Sequence, residues 1–141
     1  MKQRILFVGL SGVGKSTILD QLEQLAKSNG AKISFVNYGS LMMDLAEKSI
    51  SDRDDIRKAS HEFQHELQSK AADKVLQSSS NDQVVVVDTH LLVKTASGYL
   101  PGIPDDVLSR IKPDLIVLLE APVEDIVHRR ASDRSRKRGD M

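Results

Sequence analysis

Residues 9–16 read GLSGVGKS, and the residues before them, Arg4–Val8, read RILFV. Glycine is costly to order and lysine is a poor core residue, so three glycines followed by Lys15, Ser16 and Thr17 are not there for packing. The run fits GxxxxGK[ST] at every fixed position, with Gly9, Gly14, Lys15 and Ser16 in the defining places. Its physical reading is specific. A strand ends at Val8 and the backbone of Gly9, Leu10, Ser11, Gly12, Val13 and Gly14 curls around an anion, with glycines where a Cβ would block close approach. The helix that follows presents its positive end to the phosphates. Lys15 reaches the β- and γ-phosphates of ATP, the Ser16 hydroxyl can ligate Mg²⁺, and Thr17 is a candidate for the α-phosphate. A glycine-rich turn would serve any strand–helix junction. The required context on both sides favours the phosphate cradle.

That context extends along the chain. Arg4–Val8, Val84–Val87 and Leu115–Leu119 are short apolar runs without alternation, as expected of strands buried on both faces, and Ile33–Val36 is a weaker fourth. Between them lie helical patterns. Residues 15–28 place Ile18, Leu22, Leu25 and Ala26 on one face, and Gly30 sits where a left-handed cap would stop the helix. Phe63, Leu67, Ala71 and Val75 recur every fourth residue as one apolar stripe. Residues 78–82, SSSND, read as a polar loop into the next strand. Alternating strands and helices imply an α/β fold, a parallel sheet with helices on both faces. Residues 1–141 then form a single domain, with its core in 1–36 and 80–128.

Composition narrows the class further. The 141 residues carry 20 basic and 20 acidic side chains, a balance that argues against a general nucleic-acid binder. The basic charge is nevertheless uneven, concentrated in RRASDRSRKR at 129–138. With no cysteine there is no disulfide scaffold or thiolate metal site, which suits a reducing cytosol. No apolar run approaches the roughly 20 residues of a membrane-spanning helix, and MKQRILFV is no signal peptide. The expectation is a soluble cytoplasmic protein with no membrane partner.

A mononucleotide site of this kind usually has a second carboxylate at the end of a neighbouring strand. Asp88, after Val84–Val87, supplies it and could orient Mg²⁺-bound water. A turn aspartate is the plainer alternative. No N-K-x-D guanine signature is present.

The segments GLSGVGKST (9–17), VNYGSLM (36–42), DRDDIRK (52–58), VVVVDTHLLVKTASGYLPGIP (84–104), PDLIVLLEAP (113–122) and RRASDRSRKR (129–138) together resemble the archaeal-type adenylate kinases. They stand in family order across nearly the whole chain. The resemblance implies a P-loop NTPase fold and Mg²⁺-dependent phosphoryl transfer between ATP and AMP. By position it puts an AMP-binding region near 37–75, with Gly39 letting AMP approach the backbone and Arg57 on the AMP phosphate. An arginine fork suits that task, although DRDDIRK could equally be a solvated charge run. Arg129, Arg136 and Arg138, with Arg130, resemble arginines of a lid over ATP at 129–141, whose charge would offset that developing on the transferred group. A nucleic-acid patch is the alternative, and no aromatic residue interleaves it. His90 and Lys94 match the same pattern as AMP contacts, while a strand-end histidine satisfied by backbone reads equally well. Met42 and Met43 are placed near the AMP base. His61 and His65, four apart on a helix, lack a nearby third ligand and read as an exposed polar face.

There are departures. Ser11 stands where the family commonly has proline, and Gly139 interrupts an expected arginine–aspartate pair at 138–140. The family also continues for a further strand and helix, so the chain reads as lacking its last elements. The archaeal type further implies a homo-oligomer, a homotrimer. Two other functions remain compatible with the motifs: a P-loop kinase of a small metabolite, and a nucleotide-dependent ATPase associated with RNA or ribosome assembly.

Overall fold

The computed structural model describes residues 3–46, 61–78, 84–95 and 98–132. Its elements in chain order are β1 (Gln3–Gly9), α1 (Lys15–Ser28), β2 (Ile33–Asn37), α2 (Tyr38–Leu45), α3 (His61–Ser78), β3 (Val84–His90), β4 (Leu92–Thr95), β5 (Gly98–Pro101), α4 (Asp105–Ile111), β6 (Leu115–Leu119) and α5 (Val123–Ser132). Four strands form one sheet in the order β2-β3-β1-β6, every neighbour parallel. The remaining two, β4 and β5, make an antiparallel hairpin.

Because successive side chains of a strand point to opposite faces, each apolar run feeds two cores. Leu6, Val8, Val85 and Val87 meet Tyr38, Met42, Leu67, Ala71, Val75, Val107 and Ile111 on one face. Phe7 and Val86 meet Leu19 of α1 on the other. Helices therefore cover both faces of the sheet at β1 and β3, as expected from unalternating strands.

The first helix runs over residues 15–28 as expected, but it is rotated. Leu19 and Ala26 are buried, whereas Ile18 is 42% and Leu25 60% exposed. The phase is set at its first residue. Lys15 turns inward to the sheet, so residues at helical spacing from it (Leu19, Leu22, Ala26) follow, and Ile18 and Leu25 are carried off that face. The stop at Gly30 is as read: its φ is +67°, and the amide of Ala31 closes back on the carbonyl of Ala26 at 2.9 Å.

In α3 the stripe of Leu67, Ala71 and Val75 is buried with Phe63 beside it, and an adjacent stripe of Gln64, Gln68 and Ala72 is buried too. The strand read as Val84–Val87 runs on to His90, so Asp88 lies within β3 rather than after it. Parallel pairing holds those polar residues in the sheet: Phe7 stands opposite Asp88, Val8 opposite Thr89, Gly9 opposite His90. Three helices, α2, α4 and α5, and the β4–β5 hairpin had no counterpart in the periodicity. Strand β6 is the sheet edge, and Leu115, Ile116 and Leu118 are each about half exposed.

Candidate active site

The loop between β1 and α1 is tight. The amide of Val13 donates to the carbonyl of Leu10 at 3.1 Å, and Gly12 and Gly14 take φ of +92° and +96°, a region costly for any residue with a Cβ. Gly14 is the residue before the first turn of α1 and offers no side-chain cap, so the first amides of that helix stay open to an anion. A Cβ at Gly9 would stand 2.9 Å from Val13 Cγ1 and 3.1 Å from the carbonyl oxygen of Leu119. The loop must fold over Gly9.

Lys15 leaves the end of this loop and buries its side chain, where the ammonium pairs with Asp88 Oδ1. The other carboxylate oxygen, Asp88 Oδ2, accepts from Asn37 Nδ2 at 2.9 Å. Asn37 holds two elements at once, since its Oδ1 also caps α2 by accepting from the amide of Ser40 at 2.9 Å. Parallel register sets Asn37, the last residue of β2, opposite Asp88 of β3, which is why Asn37 can brace the carboxylate that meets the loop lysine. Asn37 was not singled out in the sequence. An asparagine between an apolar strand and a helix is a capping signal, and that signal could have found it.

Beyond the lysine a cleft opens between the loop and α2. Lys15, Ser16, Asn37, Gly39, Asp88 and His90 line it, with Tyr38, Met42, Gln64, Gln68, Thr89, Val93 and Gly102. The phosphate loop, the acidic strand end and the expected acceptor residues Gly39 and His90 thus share one cavity. Met42 lines it as expected, while Met43 packs against the larger core. Lys94 lies exposed on β4 opposite Tyr99, and its neighbour Val93 is the residue that lines the cleft. Thr17 is exposed at the start of α1. Arg57, Arg136 and Arg138 lie outside the described residues, as does Gly139. Arg129 sits not in the cleft but against the outer side of the loop, donating from Nη1 to the carbonyls of Gly12 at 3.3 Å and Val13 at 2.8 Å.

Two polar side chains of the cleft, Tyr38 and Gln68, are tied back to backbone carbonyls. The Tyr38 hydroxyl donates to the carbonyl of Gln68, and Gln68 Nε2 donates to the carbonyl of Pro101 at 3.0 Å. Burial pushes the Tyr38 phenol well above its ordinary value, and the charges of Asp73 and Asp106 push it the same way. Gly102 closes the hairpin beneath: its amide donates to the carbonyl of Leu91 at 2.9 Å, and a Cβ there would collide with the carbonyl oxygen of His90.

The donors at the loop fit Mg²⁺. A serine hydroxyl and a carboxylate, Ser16 and Asp88, both reach the same cavity, and hard oxygen ligands of this kind suit that ion. His65, by contrast, pairs with Asp106 at 2.9 Å across to α4, which holds Asp106 below the usual carboxylate range. Among the described residues no group of three or more histidines and acids could hold a metal ion by itself, and no helix is long and apolar enough to cross a membrane.

A parallel sheet whose first strand runs into a glycine loop, with the loop lysine held by an acid on the adjacent strand, defines a P-loop nucleotide-binding domain. A family model described as an AAA domain matches residues 8–141. The chain is 42% identical over 137 residues to the adenylate kinase of Thermoplasma acidophilum, covering 96% of this chain and 70% of that protein. It is 38% identical over 141 residues to the adenylate kinase of Methanocaldococcus jannaschii, covering 98% and 73%. On this similarity the chain belongs to the adenylate kinase family. In fold it is similar to the Mycobacterium tuberculosis APS kinase CysC, solved in complex with AMPPNP and APS, with a TM-score of 0.58 at 16% identity over 95% of this chain and 74% of that one.

Proposed function

We propose that this protein transfers the terminal phosphoryl group of ATP to AMP, giving two ADP. An oxygen of the AMP phosphate forms the new bond to phosphorus, and the bond from that phosphorus to the β–γ bridging oxygen breaks, its electrons passing to ADP. One observation carries this reading beyond family membership: Lys15 and Ser16 of the phosphate loop and the acceptor-side residues Gly39, Tyr38, Met42 and His90 line a single cleft.

The chemistry asks mainly for position and charge. Transfer between two phosphates needs no strong general base, because the attacking oxygen is already anionic. The loop amides and the start of α1 hold the β-phosphate. Lys15 exchanges Asp88 for the phosphates when ATP enters, and its charge is then beside the group being transferred. Asp88, released, stays anchored by Asn37 and with Ser16 is placed to hold Mg²⁺, directly or through water. When bound, that ion offsets charge on the β- and γ-oxygens. Arg57 is assigned to the AMP phosphate, Lys94 and His90 to the acceptor side, and Arg136 and Arg138 to the transferring group. The homotrimer implied by the resemblance belongs to this proposal too, and sedimentation reads it directly.

The deciding experiment is a coupled assay with AMP, CMP, UMP and GMP as acceptors. AMP is expected to be preferred. Equal turnover with all four, or ATP hydrolysis that no acceptor stimulates, overturns the assignment. RNA binding that falls steeply with salt would instead support the RNA-associated reading.

A further inference from the structure

Helix α5 lies directly on the outside of the phosphate loop. A Cβ at Gly12 would stand 3.1 Å from Arg130 Cγ and 3.2 Å from the carbonyl oxygen of Ile126, and one at Gly14 would stand 3.3 Å from Arg129 Nη1. Ile126 is buried beneath this contact. From the same helix Arg130 Nε donates to the carbonyl of Ser11 at 2.7 Å, while Arg129 Nη1 makes its shorter bond, 2.8 Å, to the carbonyl of Val13.

The placement of those two bonds is selective. In a trans peptide the carbonyl of one residue and the amide of the next belong to one planar unit and point in opposite directions. The Ser11 carbonyl is the back of the Gly12 amide, and the Val13 carbonyl is the back of the Gly14 amide. The unit between them, Gly12 carbonyl and Val13 amide, is already used in the turn to Leu10 and accepts only the longer 3.3 Å contact from Arg129. Among the described residues neither the Gly12 nor the Gly14 amide donates to another protein group. Each arginine thus grips one peptide whose N–H faces away from α5 and is uncommitted.

We propose that Arg129 and Arg130 are positioning residues: from behind the loop they hold and polarise the Gly12 and Gly14 peptides, so that those two amides are already aimed and strengthened as anion donors before nucleotide arrives. A cation on a carbonyl draws electron density along the peptide and makes its N–H a better donor. Bonds from a charged donor are also stronger than neutral ones. Holding the loop in its binding shape beforehand removes an ordering cost from each encounter. Two left-handed glycines make this loop otherwise easy to reorder. The role rests on the reading of the loop as a triphosphate site. It also reassigns Arg129, whose guanidinium works on the protein and not on the transferred group.

The test uses Arg129→Ala, Arg130→Ala and the two lysine variants in the whole chain, each checked for an unchanged melting transition with AMP bound. Mg·ATP and inorganic tripolyphosphate are titrated by calorimetry, and amide spectra are recorded without nucleotide. Arg130→Ala is expected to move the Gly12 amide resonance and Arg129→Ala that of Gly14, in nucleotide-free protein. Affinity for both ATP and tripolyphosphate should fall about tenfold for Arg130→Ala, as for loss of one charge-assisted bond, and by less for the more exposed Arg129. The lysine variants should restore part of it, and the KM for AMP should not change. Weaker ATP binding with the Gly12 and Gly14 resonances unmoved would mean direct contact with nucleotide and overturn the proposal. So would full affinity in both alanine variants. A wild-type chain that takes up neither ATP nor tripolyphosphate would instead remove the phosphate-loop reading itself.

Discussion

Removing the carboxylate of Asp88 should destabilise the nucleotide-free protein more than removing both members of its ion pair. The Lys15 and Asp88 side chains are 7% and 12% exposed, and Asn37 donates to the second carboxylate oxygen. In Asp88→Ala the Lys15 ammonium is left buried without a counter-charge, a loss of about 3–5 kcal/mol in fully buried pairs. Neither side chain is completely enclosed, so the low end applies, about 3 kcal/mol. For a chain of this length that is roughly 10 °C in melting temperature. Lys15→Met alone leaves a carboxylate still bonded to Asn37 and should cost about 2 kcal/mol. The double variant, Lys15→Met with Asp88→Ala, removes both charges and strands only the Asn37 amide, so it should cost about 1–2 kcal/mol. Urea unfolding of the four proteins, without nucleotide, closes the cycle. A coupling of at least about 2 kcal/mol is expected. Additive losses within about 0.5 kcal/mol would show that the two groups do not hold each other, and the exchange of Lys15 from Asp88 to phosphate would lose its basis.

Other expectations follow from single positions. Lys15→Ala should abolish most phosphoryl transfer while its circular dichroism stays native, and near-normal turnover would refute its role. Gly102→Ala forces a methyl onto the carbonyl of His90 and should cost more than Gly9→Ala, whose clash with Val13 at 2.9 Å should cost about 1–3 kcal/mol; denaturant unfolding of both variants reads the order. Leu67, fully buried against β1 and β3 residues, should cost about 2–5 kcal/mol as Leu67→Ala. Tyr38 predicts a pH effect with a definite sign. Its folded pKa lies above the ordinary 10.0, so its share of the stability is complete below pH 10 and is lost as pH rises beyond it. Tyr38→Phe should therefore lose less stability than wild type between pH 9 and pH 11, and parallel pH profiles would contradict this.

The phosphate loop, the acid two strands away in sequence and the parallel sheet were legible in the chain because each rests on local chemistry. A glycine–lysine–serine run has few other uses, and the unalternating apolar runs of β1 and β3 are buried on both faces, whereas the equally apolar β6 lies at the sheet edge and is half exposed. Four-residue spacing likewise announced α3. Local rules failed where a neighbour decided. The periodicity of α1 put Ile18 and Leu25 inward, yet the inward turn of Lys15 sets the phase and leaves both exposed. Asn37 gains its importance only from parallel register, which brings it opposite Asp88 from a distant part of the chain. Gln64 and Gln68 look like surface residues and are buried because α2, α4 and the hairpin close over them. Arg129 and Arg130 read as charges for a substrate, and the packing of α5 onto the loop turns them toward backbone carbonyls. Residue type and spacing state what a side chain is able to do. Which partner it meets depends on strand order and helix docking, where sequence distances of about a hundred residues collapse to hydrogen-bond length.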